Sequence, residues 1–242
     1  MIDLHCHILP QLDDGAQSLT DALEMARLAV NSGVTAMAAT PHCIDDRSGA
    51  IRERILMLRE LLEEEQIPLR LYMGMEIFGT EDTALLLRQK RLMTLNNSRY
   101  PLVEFAFRGS GELQTQILQS ILLEGFTPVV AHPERYGYVQ EQPDLVNLWA
   151  RMGCLFQVNR GSLLGRFGSE ARHVGFALVN RGFATVVASD GHSPRMRTPW
   201  MEDVYHLLQE QVSDAAAEYL LVHNPKAILR NQTLTTGEPE WF

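Results

Sequence analysis

Apolar and polar positions in this chain alternate between two periods that take turns from end to end. Ile2, Leu4 and Cys6 fall on one side of a period-two segment, and Asp3, His5 and His7 on the other. The opening residues therefore read as a strand with a buried face and a polar face. Ser18 and Asp21 then form a capping pattern around Leu19, Leu23, Ala26 and Val30, a helical stripe that stops near Gly33. The exchange repeats. Residues 34–39 read as a second strand ending in Thr40-Pro41-His42, and Ile51, Ile55, Leu58 and Leu62 keep helical spacing up to Pro68. A third strand is expected over 69–75 with Glu76 just past its end, and a fourth over 102–105, carrying Glu104. The fifth (127–131) ends at His132, the sixth (154–158) at Asn159, and the seventh (184–188) runs into Ser189-Asp190-Gly191-His192. Helices are expected over 83–92, 113–123, 143–151, 170–181, 201–210 and 214–222.

Seven strand–helix units in succession imply an α/β chain with a parallel sheet. Nearly every strand ends in His, Asp, Glu or Asn. In a closed barrel those ends converge on one mouth, whereas in an open sheet they would lie spread along an edge, so the pattern favours a TIM-like barrel. Residues 1–230 read as a single domain, and 231–242 as a loose tail.

Composition narrows the partners. A net charge of −9 over 242 residues argues against a nucleic-acid partner held by a basic surface. The three cysteines, Cys6, Cys43 and Cys154, form no CxxC pair and read as reduced thiols. No leader-like N-terminus is visible, and no apolar run approaches the ~20 residues of a membrane span. A cytoplasmic chain without membrane insertion is expected.

The polar strand ends supply nine candidate metal ligands: His5, His7, Asp14, His42, Glu76, Glu104, His132, Asp190 and His192. Five imidazoles and four carboxylates are too many for one tetrahedral ion, but they suit two or three ions with bridging carboxylates. Nitrogen and oxygen donors without thiolate suit Mn, Fe or Zn in a reactive site better than structural zinc. Four carboxylates around three divalent ions would leave about +2, a match for a phosphate dianion, and adjacent metals would generate a hydroxide nucleophile for attack on phosphorus. Arg135, just beyond His132, and Arg197, in the last strand-end loop, are candidates for the non-bridging phosphate oxygens. Gln157 and Asn159 share a strand face and are placed behind a ligand, toward substrate, or in hydrogen bonds at the edge of the core; Arg160 is a weaker candidate of the same kind. Asp3 stays open between supporting a ligand and plain solvation. His42-Cys43 imitates a cysteine-phosphatase loop, but the position that needs arginine is Gly49, Arg47 comes too early, and Asp45 and Asp46 stand where backbone donors are needed. Cys43 is therefore not read as a nucleophile.

With these residues in place, the chain resembles the PHP (polymerase and histidinol phosphatase) superfamily. Within it, the likeness is to the manganese-dependent protein-tyrosine phosphatases of bacterial capsule and exopolysaccharide clusters. It rests on Met1 to His7, Asp13-Asp14-Gly15-Ala16, Thr40-Pro41-His42, Gly74-Met75-Glu76, Glu104-Phe105, Ala131-His132-Pro133-Glu134-Arg135-Tyr136, Gln157-Val158-Asn159 with Gly161-Ser162, and Ser189-Asp190-Gly191-His192. The resemblance implies a distorted TIM-like (β/α)7 barrel with three metal ions at its mouth, Mn foremost, and Arg135 and Arg197 as phosphate-binding residues. It also implies a substrate in the phosphotyrosine-bearing tail of a bacterial tyrosine kinase that regulates polysaccharide export. Cys43 (where a second His is common), Gly191 (where Ala is usual) and Gln11 (where Gly is common) depart from the pattern without removing a ligand. Competing readings are a small-molecule phosphatase of the histidinol phosphate type, an amidohydrolase, and a metal-stabilised binding module without turnover. The amidohydrolase reading is weakened because the only lysines, Lys90 and Lys226, are not at strand ends.

Overall fold

In the computed structural model, residues 1–43, 48–234 and 237–242 are described. Strand β1 (Ile2–Cys6) pairs in parallel with β2 (Ala36–Ala39), which pairs in parallel with β4 (Arg70–Met73). Past Thr40-Pro41 the second stave resumes as β3 (His42–Cys43), and past Gly74-Met75 the third resumes as β5 (Glu76–Phe78). These halves pair with each other, and the sheet continues through β6 (Leu102–Glu104), β7 (Val129–Ala131), β8 (Leu155–Asn159) and β9 (Ala184–Ala188), always in parallel. Counting the two interrupted strands as single staves gives the seven that the sequence pattern indicated. Cys6 bridges to Gly191 just after β9, and His7 N donates to Gly191 O at 2.8 Å, so the first and last staves meet at the polar end.

The interruptions have local causes. Pro41 offers no N–H to a ladder. A Cβ on Gly74 would stand 3.0 Å from Thr40 Cγ2 and 3.1 Å from Leu95 Cδ2, so the third stave can pass this point only without a side chain. Glu76 therefore opens a strand instead of following one. Its N–H donates to Pro41 O at 3.1 Å, which aims the carboxylate into the mouth beside His42.

The helices are α1 (Leu19–Asn31), α2 (Ser48–Glu64), α3 (Thr83–Arg88), α4 (Glu112–Leu123), α5 (Gly137–Glu141), α6 (Leu145–Met152), α7 (Arg160–Leu163), α8 (Ser169–Asn180), α9 (Glu202–Gln211), α10 (Asp214–Glu218) and α11 (Asn224–Leu229). Ser18 caps α1, its Oγ accepting from Asp21 N at 3.1 Å. The buried stripe of α1 is Ala22, Met25, Ala26 and Ala29, rotated from the expected one, and Leu19 is exposed. Alanines on this face let the helix approach the sheet closely. On α2 the expected Ile51, Ile55, Leu58 and Leu62 are all buried.

Two stretches differ from expectation. The helix read over 214–222 continues through a π-type turn at Tyr219–His223 into α11, where Pro225 sits in the first turn and is tolerated. Ile228 and Leu229 of α11 join Leu4, Ala38, Leu102, Val129, Ala131 and Val186 in one apolar cluster, drawn from most staves. The C-terminal residues, read as a loose tail, instead make defined contacts. Phe242 stacks on Phe183 at 5.3 Å and exchanges hydrogen bonds with Asn147, while Trp241 lies under the Arg151 guanidinium.

Candidate metal centre

Because every stave runs in parallel, the polar residues at their C-terminal ends gather on one side. All nine candidate ligands meet there, in four overlapping groups whose donor atoms lie within 4.8 Å of one another. The groups are His5/His7/Asp190, His5/Glu76/His132, His42/Glu76/Glu104 and His7/Asp14/His42/His192. His5 Nε2 and His7 Nε2 are 3.2 Å apart, Glu76 Oε2 lies 3.1 and 3.2 Å from them, and Asp190 Oδ1 lies 3.6 Å from each. Donors at ~2.1 Å from a tetrahedral ion are separated by about 3.4 Å. Glu76 Oε2 is buried and accepts no hydrogen bond, although ring nitrogens of His5, His7 and His42 surround it within 3.2 Å. Lone pairs turned toward a common point in this way fit a shared cation better than a proton. Glu76 Oε1 is 2.8 Å from His132 Nε2, which places this carboxylate between groups. Asp14, 3.5 Å from His42 and 3.4 Å from His192, is the most open of the nine.

Neighbouring side chains set the orientation of the ligands. Gln157 Oε1 accepts from His5 Nδ1 at 2.9 Å, and Asp13 Oδ2 accepts from His7 Nδ1 at 2.7 Å. Each contact places the proton on Nδ1 and leaves Nε2 free to donate its lone pair. Asp13 also accepts from His42 N and Gly15 N, so it joins the first two strand ends. Gln157 Nε2 donates to Asn159 Oδ1 at 2.8 Å, and Asn159 Nδ2 donates to Asp190 Oδ2 at 2.6 Å. His132 and Asp190 hold left-handed backbone at φ 35° and 50°, strained positions of the kind that persist where surrounding structure enforces them.

The electrostatics follow from this crowding. Burial opposes charge on His7, but Asp13 and Glu76 outweigh it and hold the imidazole up at about 10, so a cation at Nε2 would displace a proton from it. His5 and His42 are raised by the same contest, through Glu76 with Asp190 and through Glu104 with Glu76. Burial also works against the carboxylates, yet His5 above all holds Glu76 and Asp190 below the ordinary carboxylate range. His192 goes the other way. Burial and then the His7 charge push it down to about 4, leaving a neutral imidazole.

Both arginines reach the centre. Arg135 Nη1 donates to Asp190 Oδ2 at 3.2 Å, and Arg197 Nη2 pairs with the same oxygen. Asp190 thus presents Oδ1 to His5 and His7 and Oδ2 to the guanidiniums. The remaining residues of the His132–Tyr136 motif hold neighbouring strands. Glu134 Oε1 accepts from Asn159 N and Ser162 Oγ, while Tyr136 Oη accepts from Phe105 N and donates to Ala131 O.

Several sequence candidates take other positions. The Asn159 amide is buried and committed at both ends, to Gln157 and Asp190, so it does not face the mouth as a substrate contact. Arg160 forms a two-pronged pair with Asp203 at 2.7 and 2.5 Å and donates to Thr198 O, which steadies the loop carrying Arg197. Asp3 is fully buried against Ser189. Cys43 is buried, and the residues weighed for a cysteine-phosphatase loop, Ile44 to Arg47, lie outside the described residues. Asp13, Phe107 and Phe167 belong to the site but were not singled out by sequence. Asp13 could have been found from its place beside Asp14 on the loop after His7.

The model of the family described as "Capsular polysaccharide synthesis, CpsB/CapC" matches residues 1–230. The chain is 35% identical to the tyrosine-protein phosphatase YwqE of Bacillus subtilis, covering 99% of this chain and 96% of the relative. It is 31% identical to the tyrosine-protein phosphatase CpsB of Streptococcus pneumoniae, covering 97% of this chain and all of the relative. A crystal structure from the study of those two proteins, described there as metal-dependent tyrosine phosphatases, superposes with a TM-score of 0.94 at 34% identity, covering 100% of this chain and 99% of that one. Dihydropyrimidinase from Brevibacillus agri shares the fold alone, with a TM-score of 0.60 at 12% identity over 98% of this chain and 73% of its own.

Proposed function

From the premise that this chain belongs to the CpsB/CapC family of capsular polysaccharide synthesis, we propose that it is a metal-dependent protein-tyrosine phosphatase. The observation that carries this reading is the convergence of the nine donors with two guanidinium groups on Asp190. The nine donors would hold divalent ions, three in number with manganese foremost. When bound, such ions supply Lewis acidity and a nucleophilic water. Arg135 and Arg197 bind the non-bridging phosphate oxygens and stabilise the charge that builds on them. Gln157 and Asp13 fix the ligating tautomers of His5 and His7, and Asn159 holds Asp190 between ligands and arginines. Tyrosinate leaves with modest help because the phenol titrates near pH 10.

The substrate class follows the curated relatives, and the family description supports a substrate in capsule synthesis. The protein substrate is the phosphotyrosine-bearing tail of a tyrosine kinase that controls polysaccharide export. Among the described residues no helix is long and apolar enough to cross a membrane. The cysteines, none in a disulfide, suit the reducing cytoplasm. The test compares phosphate release from a phosphotyrosine peptide and from histidinol phosphate by manganese-loaded protein. Preference for the peptide is expected; preference for histidinol phosphate overturns the substrate assignment.

A further inference from the structure

The Arg135 guanidinium lies between two aromatic rings. Its Cζ is 4.7 Å from the Phe107 centroid and 4.1 Å from that of Phe167, and Arg197 Cζ is 5.6 Å from Phe167. The two rings differ in what else they do. Phe167 is within reach of both guanidiniums, and the backbone makes room for it, since a Cβ on Gly161 would fall 2.5 Å from Phe167 Cε2. Phe107 follows Glu104 on the loop after β6, and its carbonyl accepts from Gly137 N at 2.9 Å. Its ring lies 5.9 Å from the His132 ring, yet 44% of the residue remains open to solvent. A large apolar side chain held open at the rim of a charged centre, beside the arginine that meets Asp190, is a ready wall for a second aromatic group.

We propose that Phe107 is the specificity-determining residue for an aryl group, its open ring packing the phenyl ring of the substrate while Arg135 and Arg197 hold the phosphate. This rests on the phosphatase reading above and adds the residue that favours aryl over alkyl phosphates. Phe167 is a positioning residue for the two guanidiniums and does not touch the aryl group. An aryl ester whose phosphate meets Arg135 would bring its ring against the open Phe107 face. An alkyl phosphate would gain nothing there.

The test separates aryl binding from turnover by measuring competitive inhibition of manganese-loaded protein by phenylphosphonate and methylphosphonate, which share one anionic head. Wild type is expected to bind phenylphosphonate more tightly by about fivefold to tenfold. Phe107→Ala should erase that ratio, and Phe107→Trp should restore it. Phe167→Ala should weaken both inhibitors alike. Equal binding of the two inhibitors by wild type, or a parallel loss of both in Phe107→Ala, would overturn the assignment. Wild type that releases no phosphate from a phosphotyrosine peptide with any divalent metal would sink the phosphatase reading itself, a separate outcome.

Discussion

Asp3 and Ser189, 186 residues apart in the chain, are joined twice: Ser189 N donates to Asp3 Oδ1 at 3.0 Å, and Ser189 Oγ donates to Asp3 Oδ2 at 2.6 Å. The pair fastens the first strand to the loop that carries Asp190 and His192. Asp3 lies on the polar side of β1, as the alternation indicated, but its task is to join strands. Asp3→Ala would remove the buried acceptor of Ser189 N and His5 N and leave Ser189 Oγ only its longer bond to His5 O at 3.2 Å. The expected loss is about 3 kcal/mol, read by urea unfolding at fixed metal concentration, against about 1 kcal/mol for Ser189→Ala. Equal stability of Asp3→Ala and wild type would contradict the role.

Arg135 and Arg197 share Asp190 Oδ2 and are expected to act on the same phosphate. Alanine at either position should lower kcat/KM on phosphotyrosine peptide by about 10²- to 10³-fold, with metal content unchanged. Lysine should rescue little, because an ammonium does not reproduce the planar fork. A variant that keeps wild-type kcat/KM would remove that arginine from the mechanism.

Gln11 occupies left-handed backbone at φ 63°, with its N–H donating to Ala16 O at 2.9 Å. This explains in physical terms why glycine suits the position. Gln11→Gly is expected to raise stability by about 0.5–1 kcal/mol, since relief of the left-handed strain exceeds the extra entropy of the unfolded chain. A loss of stability in urea melts would show that the Gln11 side chain contributes more than its backbone costs.

How much of this was legible in the sequence depended on the kind of signal. Ligands at strand ends were readable because parallel strands make distant polar termini neighbours, so His5, Glu76, His132 and Asp190 could be grouped without knowing the register. Local breaks were not readable. The split of the third stave depends on contacts from Thr40 and Leu95 to Gly74, which no period reveals. The stripe on α1 was rotated because alanine carries a weak hydrophobic signal while packing best against a sheet. The roles of Asp13 and Asn159 follow from which atom of a neighbour each one reaches, and Phe107 and Phe167 sit in loops where no periodicity marks them.

The thiols are expected to be bystanders. Burial pushes Cys154 up to about 12 and Cys6 well above the ordinary thiol range. At pH 8 only about one Cys154 in 10⁴ would be thiolate, and alkylation should accelerate only as pH rises toward that value. Treatment with iodoacetamide at pH 8 should therefore leave phosphatase turnover intact. Inactivation in step with labelling of Cys43 would revive the cysteine-nucleophile reading.

The proposed function requires that nine side chains from six of the seven staves hold a polynuclear metal centre on which phosphotyrosine hydrolysis depends. Its most direct test is metal content by plasma mass spectrometry during stepwise addition of manganese to chelated protein, with turnover of phosphotyrosine peptide measured on the same samples. Activity should be absent after chelation, rise with bound metal, and level off at about three ions per chain. Full turnover in chelated protein that holds less than one ion per chain would contradict it.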